Sequence, residues 1–228
     1  MRNSENKGGV FKIVAIIGVI LLASFLAKPL FEREAKLRVY APADINPELV
    51  DSAMQTQSGD HRIKDFELYN QKNQLVNKSS FQNKIKIVDF FFTTCPNICP
   101  KMTFQMERIN ERFVEDTNFV ILSHSVTPTK DTPEVLAQYA KDHGASLPKW
   151  QFLTGDKQII NTLARQSYFA AKEEWKGDYG EFIHTENFVL VDPNWRIRGY
   201  YDGTNTQDVD RLMKEYKILK EEFEVLFQ

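Results

Sequence analysis

The chain has 228 residues, enough for one sizeable domain with extensions at its ends. Hydrophobic residues make up 42% of the sequence and charged residues 26%, which is typical of a globular protein. The formal net charge of −2 gives no broad basic surface, so no nucleic-acid partner is expected.

An uncharged apolar run lies near the N-terminus, from Ile13 to Ala27, bracketed by Lys12 and Lys28. It is shorter than the roughly 20 residues that span a bilayer, but flanking lysines can reach the interface and make up the difference. A cleaved secretory signal is the alternative, although Phe25 leaves no clear small-x-small cleavage site. We expect residues 1–30 to form an uncleaved membrane anchor, whose orientation the basic residues on both sides do not determine.

Two further segments are predicted to lie outside the folded domain. Residues 31–61 are polar, contain prolines and show no periodicity, so they are interpreted as a tether with a partly ordered end. The residues from Glu224 to Gln228 resemble the left half of a viral 3C-type protease site, and 223–228 are interpreted as the remnant of a removed purification tag. A native helix end is the alternative. The domain is therefore predicted at residues 62–222.

Strands and helices alternate along this domain. A β-hairpin is predicted from Phe66–Tyr69 and Gln74–Val76 around a polar turn. Further strands are predicted at Ile85–Phe92, Phe119–Val126, Trp150–Leu153, Asn187–Val191 and Arg196–Tyr200, and helices at Lys101–Val114, from Thr132 to Gly144, from Asp156 to Gln166, and from Thr206 onward. This order predicts an α/β fold with a thioredoxin-like central mixed sheet flanked by helices, an N-terminal β-hairpin and an N-terminal membrane helix.

Cys95 and Cys99, the two cysteines of the chain, stand where the first core strand ends and a helix begins. A helix N-terminus favours negative charge and so lowers the pKa of a nearby thiol. A four-residue offset is about one helical turn, so both sulfurs can converge on one point. Because Pro96 and Pro100 lack an N–H, we do not expect a regular helix throughout this turn. The pair could form a disulfide, a redox couple or part of a metal site.

A soft metal held by two thiolates needs a further ligand from elsewhere in the chain. Among the four histidines, His61 lies in the tether, His124 is interpreted as a packed histidine inside a core strand, and His143 as a cation at a helix end. His184 precedes the strand Asn187–Val191, in a loop that faces the cysteine turn in a thioredoxin-like sheet. His184 is therefore the candidate third ligand.

Two thiolates and one imidazole suit copper, as Cu(I) or Cu(II), whereas structural zinc usually takes four ligands. Met102 could supply a thioether, but it shares an inward helix stripe with Met106, so core packing is the preferred interpretation.

Three stretches of the sequence together resemble one known family. They are the segment DFFFTTCPNICPKM at residues 89–102, Ser125–Pro128 followed by Asp131–Pro133, and His184 ahead of Phe188–Pro193. Over residues 62–220 the chain resembles the Sco family (Sco/SenC), proteins needed to assemble the copper centre of cytochrome c oxidase.

The resemblance implies a role and a location. It implies copper bound by Cys95, Cys99 and His184, with the same cysteines cycling between dithiol and disulfide. It also implies a bacterial inner-membrane protein with a single span, a domain in the periplasm, and cytochrome c oxidase subunit II as the client. Asp131 and Asp192 are candidates for outer-shell or docking residues, although a helix-terminal charge and a turn are the preferred interpretations.

Two other functional classes remain open. A general thiol–disulfide oxidoreductase or a peroxidase on the same fold would need the cysteines but not His184, and the lack of a Cys-x-x-Cys pair argues against a general reductase. A copper or redox sensor would use the same site without delivery.

Overall fold

The structure is a computed structural model that describes Lys12, residues 16–18, 36–171 and 186–224. Within these residues, no helix combines the length and apolar character needed to cross a membrane. The predicted anchor falls almost entirely outside the described residues, and so does His184. The chain divides into two units, Met1–Ala35 and Lys36–Gln228, and the domain described below belongs to the second.

The centre of the domain is a seven-stranded sheet in the order β2-β1-β5-β4-β3-β6-β7. Its strands are β1 (Glu67–Asn70), β2 (Leu75–Asn77), β3 (Ile85–Phe91), β4 (Phe119–Ser125), β5 (Trp150–Thr154), β6 (Asn187–Val191) and β7 (Ile197–Asp202). β3, β4 and β5 are parallel, while β1, β2, β6 and β7 pair with their neighbours antiparallel. The mixed sheet and the N-terminal hairpin of β1 and β2 confirm the predicted α/β fold of the domain, whereas the predicted membrane helix is not confirmed by the described residues.

Helices and turns cover both faces of this sheet. The α-helices of the described residues 36–171 and 186–224 are α1 (Ile98–Phe113), α2 (Pro133–Asp142), α3 (Lys157–Thr162) and α4 (Thr206–Glu222). Short 3-10 helices at Pro42–Asp44, Pro47–Leu49 and Lys78–Phe81 precede α1, and a π-helical turn at Leu163–Ser167 follows α3. One face packs against α1, α2 and α4, and there Met102 and Met106 are buried, which confirms their core interpretation. The other face packs against α3, the π-helical turn and the segment that follows it.

The first turn of α1 differs from the sequence prediction. The helix begins at Ile98, three residues earlier than predicted, so Cys99 and Pro100 are helical. Proline is tolerated there because the N–H groups of the first helical turn have no partner within the helix. The expectation that this turn would not be a regular helix throughout is confirmed, because residues 95–97 lie outside the helix and only the part from Ile98 onward is helical.

The topology brings three chain segments to one edge of the sheet. β3 and β4 are parallel and both end at this edge, where Phe91 is opposite Ser125. β6 is antiparallel to β3, with Val88 opposite Val189, so β6 begins at the same edge. The turn carrying the cysteines, the end of β4 and the start of β6 therefore meet there.

The segment 36–61, which lies in the predicted tether, contacts the opposite edge of the sheet. The N–H of Tyr40 donates to the carbonyl of Ile197 at 2.9 Å, and Ile197 begins β7 at that edge. Arg198 donates to the carbonyl of Leu37 at 2.5 Å and to Glu222 at 2.6 Å. Leu37 and Tyr40 therefore lie at the edge away from the cysteines.

Candidate metal centre

The two cysteines occupy the turn between β3 and α1. Cys95 is partly buried, Cys99 is 1% exposed, and both are free thiols. The backbone N–H of Cys95 donates to the carbonyl of Phe92 at 3.3 Å, and the N–H of Cys99 donates to the sulfur of Cys95 at 3.4 Å. The Cys95 sulfur therefore lies against the backbone of Cys99 at the N-terminus of α1.

The two thiols have opposite acid–base character. Burial raises the pKa of Cys95, but hydrogen bonds from the backbone N–H groups of Cys99, Asn97 and Ile98 outweigh it, and the net pKa is lowered. Burial raises the pKa of Cys99 far above its ordinary value, against a hydrogen bond from the backbone of Phe92. Cys95 is thus the sulfur that forms a thiolate first, and Cys99 keeps its proton.

These sulfurs fit a soft metal. Two thiolates one helical turn apart, one of them reachable from solvent, can both bind a single Cu(I) or Cu(II) ion. Within residues 36–171 and 186–224, no group of three or more His, Cys, Asp or Glu side chains comes together around a possible metal position. His184, the predicted third ligand, lies outside that part of the chain.

The other three histidines each contact groups away from the two cysteines. His124 is fully buried, stacks on Phe90 with ring centroids 5.0 Å apart, and has its pKa lowered to about 4 by burial, which confirms its interpretation as a packed residue. His143 follows the last turn of α2 and contacts Glu107 at 2.7 Å. His61 contacts the carbonyl of Ser167 at 2.8 Å.

A buried carboxyl group near the site was missed by the sequence analysis. Asp89 lies inside β3, where Ser123 donates to it at 2.5 Å, and Ser123 in turn accepts from Trp150 at 2.9 Å. Burial raises the pKa of Asp89 to about 7, and its charge contributes to the raised pKa of Cys99. The available signal was a lone aspartate inside the apolar run IKIVDFFF.

Comparison with known proteins places the chain in a family. The sequence model described as SCO1/SenC matches residues 54–219, which include both cysteines and the whole sheet. The chain belongs to the SCO1/SenC family. This confirms the family resemblance that the cysteine segment and the stretches around Ser125 and Phe188 carried.

Relatives in the SCO1/SenC family span most of the domain. The SCO1 protein homolog of Bacillus subtilis (strain 168) is 30% identical over 159 residues, which cover 69% of this chain and 82% of the relative. A structure of BsSco, reported with a disulfide switch and as a member of the Sco family of cytochrome c oxidase assembly proteins, is 28% identical with a TM-score of 0.61, covering 70% of this chain and 94% of that one. A copper-bound structure of Arabidopsis thaliana ScoI is 25% identical with a TM-score of 0.57, covering 69% of this chain and 98% of that one.

Proposed function

We propose that this SCO1/SenC protein binds copper as a cargo and acts as a chaperone in the assembly of cytochrome c oxidase. The observation that carries the proposal is the pair of free thiols, Cys95 and Cys99, which lie together at the N-terminus of α1, where the N–H of Cys99 donates to the Cys95 sulfur. Thiolates are the ligands that copper prefers in proteins. A copper-bound relative and a relative named as an oxidase assembly protein support the cargo and the process.

We infer that His184 completes the copper site with Cys95 and Cys99. The sheet register supports this inference, because β6 begins at the cysteine edge and His184 precedes Asn187 by three residues. The surroundings of His124 support it too. His124 is buried within the core and stacks on Phe90, so it is not available as a ligand. A three-ligand site leaves room for a client ligand to bind copper during transfer.

The proposal extends to location and partner. An anchor at residues 1–30, a tether at 31–61 and the domain at 62–222, with a tag remnant at 223–228, would hold the site in the bacterial periplasm beside the inner membrane. The uncharged run Ile13–Ala27 supports the anchor. The client that we propose is subunit II of cytochrome c oxidase.

The same thiols can also carry electrons to the client. The Cys95 thiolate attacks a client disulfide, which forms a mixed disulfide and releases one client thiolate. Cys99 then gives up its proton and attacks the Cys95 sulfur, which forms the Cys95–Cys99 disulfide and releases the second client thiol. Two electrons pass to the client, and copper loses two of its three proposed ligands, so oxidation would release the cargo.

A thiol–disulfide oxidoreductase that does not use copper is the second candidate. The observation in its favour is the difference between the two thiols, because a low-pKa attacking thiol beside a protonated resolving thiol suits disulfide exchange. That function needs both cysteines and is indifferent to His184.

Copper titration separates the two candidates. The reduced full-length protein in detergent micelles is titrated anaerobically with Cu(I) against a competing chelator. We expect about one copper ion per chain, held by two thiolates and an imidazole. His184→Ala should lower the affinity at least about tenfold, because it removes a ligand.

His61→Ala is the matched control, since it removes an imidazole that contacts Ser167. It should bind copper as the unaltered protein does. Equal affinity in the His184→Ala variant would contradict the proposed ligand set. No binding by the unaltered protein would favour the oxidoreductase.

A further inference from the structure

A buried carboxylate lies at the edge of the sheet that carries the cysteines. Asp131 precedes Thr132, whose side chain caps α2, and the Asp131 side chain is 0% exposed. A carboxylate is seldom buried unless several donors satisfy it. A charge at a helix N-terminus, the preferred sequence interpretation, would not need such burial.

Four neutral donors from two chain segments, at Thr93 and at residues 125–127, converge on this carboxylate. The hydroxyl of Thr93 donates at 2.5 Å and its backbone N–H at 3.3 Å, from the turn after β3. The hydroxyls of Ser125, at the end of β4, and Thr127, in the following loop, donate at 2.5 and 2.9 Å. Because a carboxylate has two oxygens with several acceptor positions, Asp131 can accept all four of these hydrogen bonds.

The bonds to Thr93 connect Asp131 with both cysteines, because Phe92, the residue next to Thr93, contacts each of them. Phe92, the neighbour of Thr93, accepts a hydrogen bond from the N–H of Cys95 at 3.3 Å through its carbonyl. The backbone of Phe92 also forms the hydrogen bond that stabilises the Cys99 thiolate. The backbone at Phe92 and Thr93 therefore contacts both cysteines on one side and Asp131 on the other.

We propose that Asp131 is a positioning residue, which holds Thr93 and thereby fixes the placement of the Cys95 and Cys99 sulfurs. The inference rests on the proposed function only where it concerns copper, because the Asp131–Thr93 bonds would fix the positions of the two thiols whether or not they bind a metal. Loss of the Asp131–Thr93 bonds would loosen the turn in its dithiol form. The dithiol then becomes easier to oxidise, and a metal bound by both sulfurs is held less tightly.

Thr93→Val tests the inference with a minimal change of shape. It removes the hydroxyl bond to Asp131 and leaves the bonds from Ser125 and Thr127. Thr127→Val is the matched control, since it removes one hydroxyl bond to Asp131 from the loop after β4, at 2.9 Å, and leaves both bonds from Thr93. Asp131→Asn is the more severe variant, because its amide would place N–H donors against hydroxyl donors.

Two quantities are measured on the full-length protein: the equilibrium of the thiol pair with glutathione and the Cu(I) affinity. In Thr93→Val we expect the glutathione equilibrium to move about tenfold toward the disulfide, which is about 30 mV for two electrons. Copper affinity should fall about tenfold, as when a partner that orients a metal ligand is lost. Thr127→Val should change both by less than about twofold, although both variants lose similar thermal stability.

The outcomes separate this inference from the proposed function. Unchanged thiol equilibrium in Thr93→Val would overturn the positioning role, whatever its effect on stability. Equal shifts in Thr93→Val and Thr127→Val would also overturn it, because a general loosening of the fold would then explain both. A shift confined to Thr93→Val, in a protein that binds no copper at all, would support the positioning role and contradict the copper function.

Discussion

At the scale of single residues, Cys95 and Cys99 differ in reactivity although one helical turn separates them. Thiol alkylation requires access and the thiolate form. Cys95 has both, because it is partly exposed and backbone hydrogen bonds lower its pKa below the ordinary value of 9.0. Cys99 has neither, because it is 1% exposed and burial raises its pKa.

We therefore predict that iodoacetamide modifies Cys95 well before Cys99 in the reduced, copper-free protein. The rate should rise with pH and reach half of its maximum below pH 9, since the thiolate fraction of Cys95 grows through its lowered pKa. Mass spectrometry of peptides from quenched samples measures both sites. Cys95→Ser should lose the fast reaction, and equally fast labelling of Cys99 would contradict the asymmetry.

Asp89 and Asp116 should respond to pH with opposite signs. Burial raises the pKa of Asp89 from 3.8 to about 7, so the folded state binds its proton more tightly than the unfolded chain does. Its contribution to stability is therefore full below pH 3.8 and is lost as the pH rises toward 7. Burial also acts to raise the pKa of Asp116, but hydrogen bonds led by that from Lys220 lower it, so its contribution is present at neutral pH and lost in acid.

Asp89→Asn should accordingly raise the free energy of unfolding at pH 8 relative to pH 4, by on the order of 2–4 kcal/mol. Asp116→Asn should do the reverse and destabilise the protein only near neutral pH. Urea unfolding at a series of pH values measures both. If the free energy of unfolding depended on pH equally in Asp89→Asn and in the unaltered protein, the Asp89 carboxyl group would not be the cause of that dependence.

At the scale of elements, hydrophobic periodicity and turn residues were enough to place the strands and helices. β3 was predictable because five of its seven residues are apolar, as expected for a strand buried on both faces, although Lys86 and Asp89 interrupt the apolar run. Helix starts were less predictable, since several residues near a terminus can cap. The last helix begins at Thr206, as predicted, but its cap was not predicted: the side chain of Asn205 accepts from the N–H groups of Gln207 and Asp208 at 2.9 and 3.3 Å.

Asn205→Ala should therefore lower the free energy of unfolding by about 1 kcal/mol, the usual cost of losing an N-cap. Because α4 covers one face of the sheet through Val209, Leu212 and Tyr216, the loss should appear in global unfolding by urea. Asn205→Ser keeps an acceptor and should recover most of the stability. If the serine variant were as unstable as the alanine variant, capping would not be the cause.

At the scale of the whole molecule, the contacts that sequence patterns could not supply are those between distant segments. Thr93 meets Asp131, 38 residues away, only because the register pairs Phe91 with Ser125. No periodicity encodes that register. The nearest signal in the sequence was Asp131 close to the hydroxyl residues Ser125 and Thr127. The cysteine pair, by contrast, was predictable, since both members lie within one turn of chain.

Copper binding should also change the stability of the folded chain. A ligand that binds only the folded chain raises its free energy of unfolding by about 2.7 kcal/mol when its free concentration is 100 times Kd. Copper should therefore raise the melting temperature of the reduced protein, measured anaerobically by circular dichroism with buffered Cu(I). A chelator stronger than the site should restore the lower value.

Oxidation to the Cys95–Cys99 disulfide should abolish this shift, because both sulfurs are then bonded to each other and only one proposed ligand, His184, remains. The disulfide form without copper gives the reference melting temperature, so any stabilisation by the cross-link itself is subtracted. The Cys95→Ser variant, which cannot form the disulfide, is the control for partial loss of ligands, and its shift should be smaller than that of the unaltered reduced protein. If copper raised the melting temperature of the disulfide form as much as that of the dithiol, copper would be held by groups other than these two thiolates, and release by oxidation would be wrong.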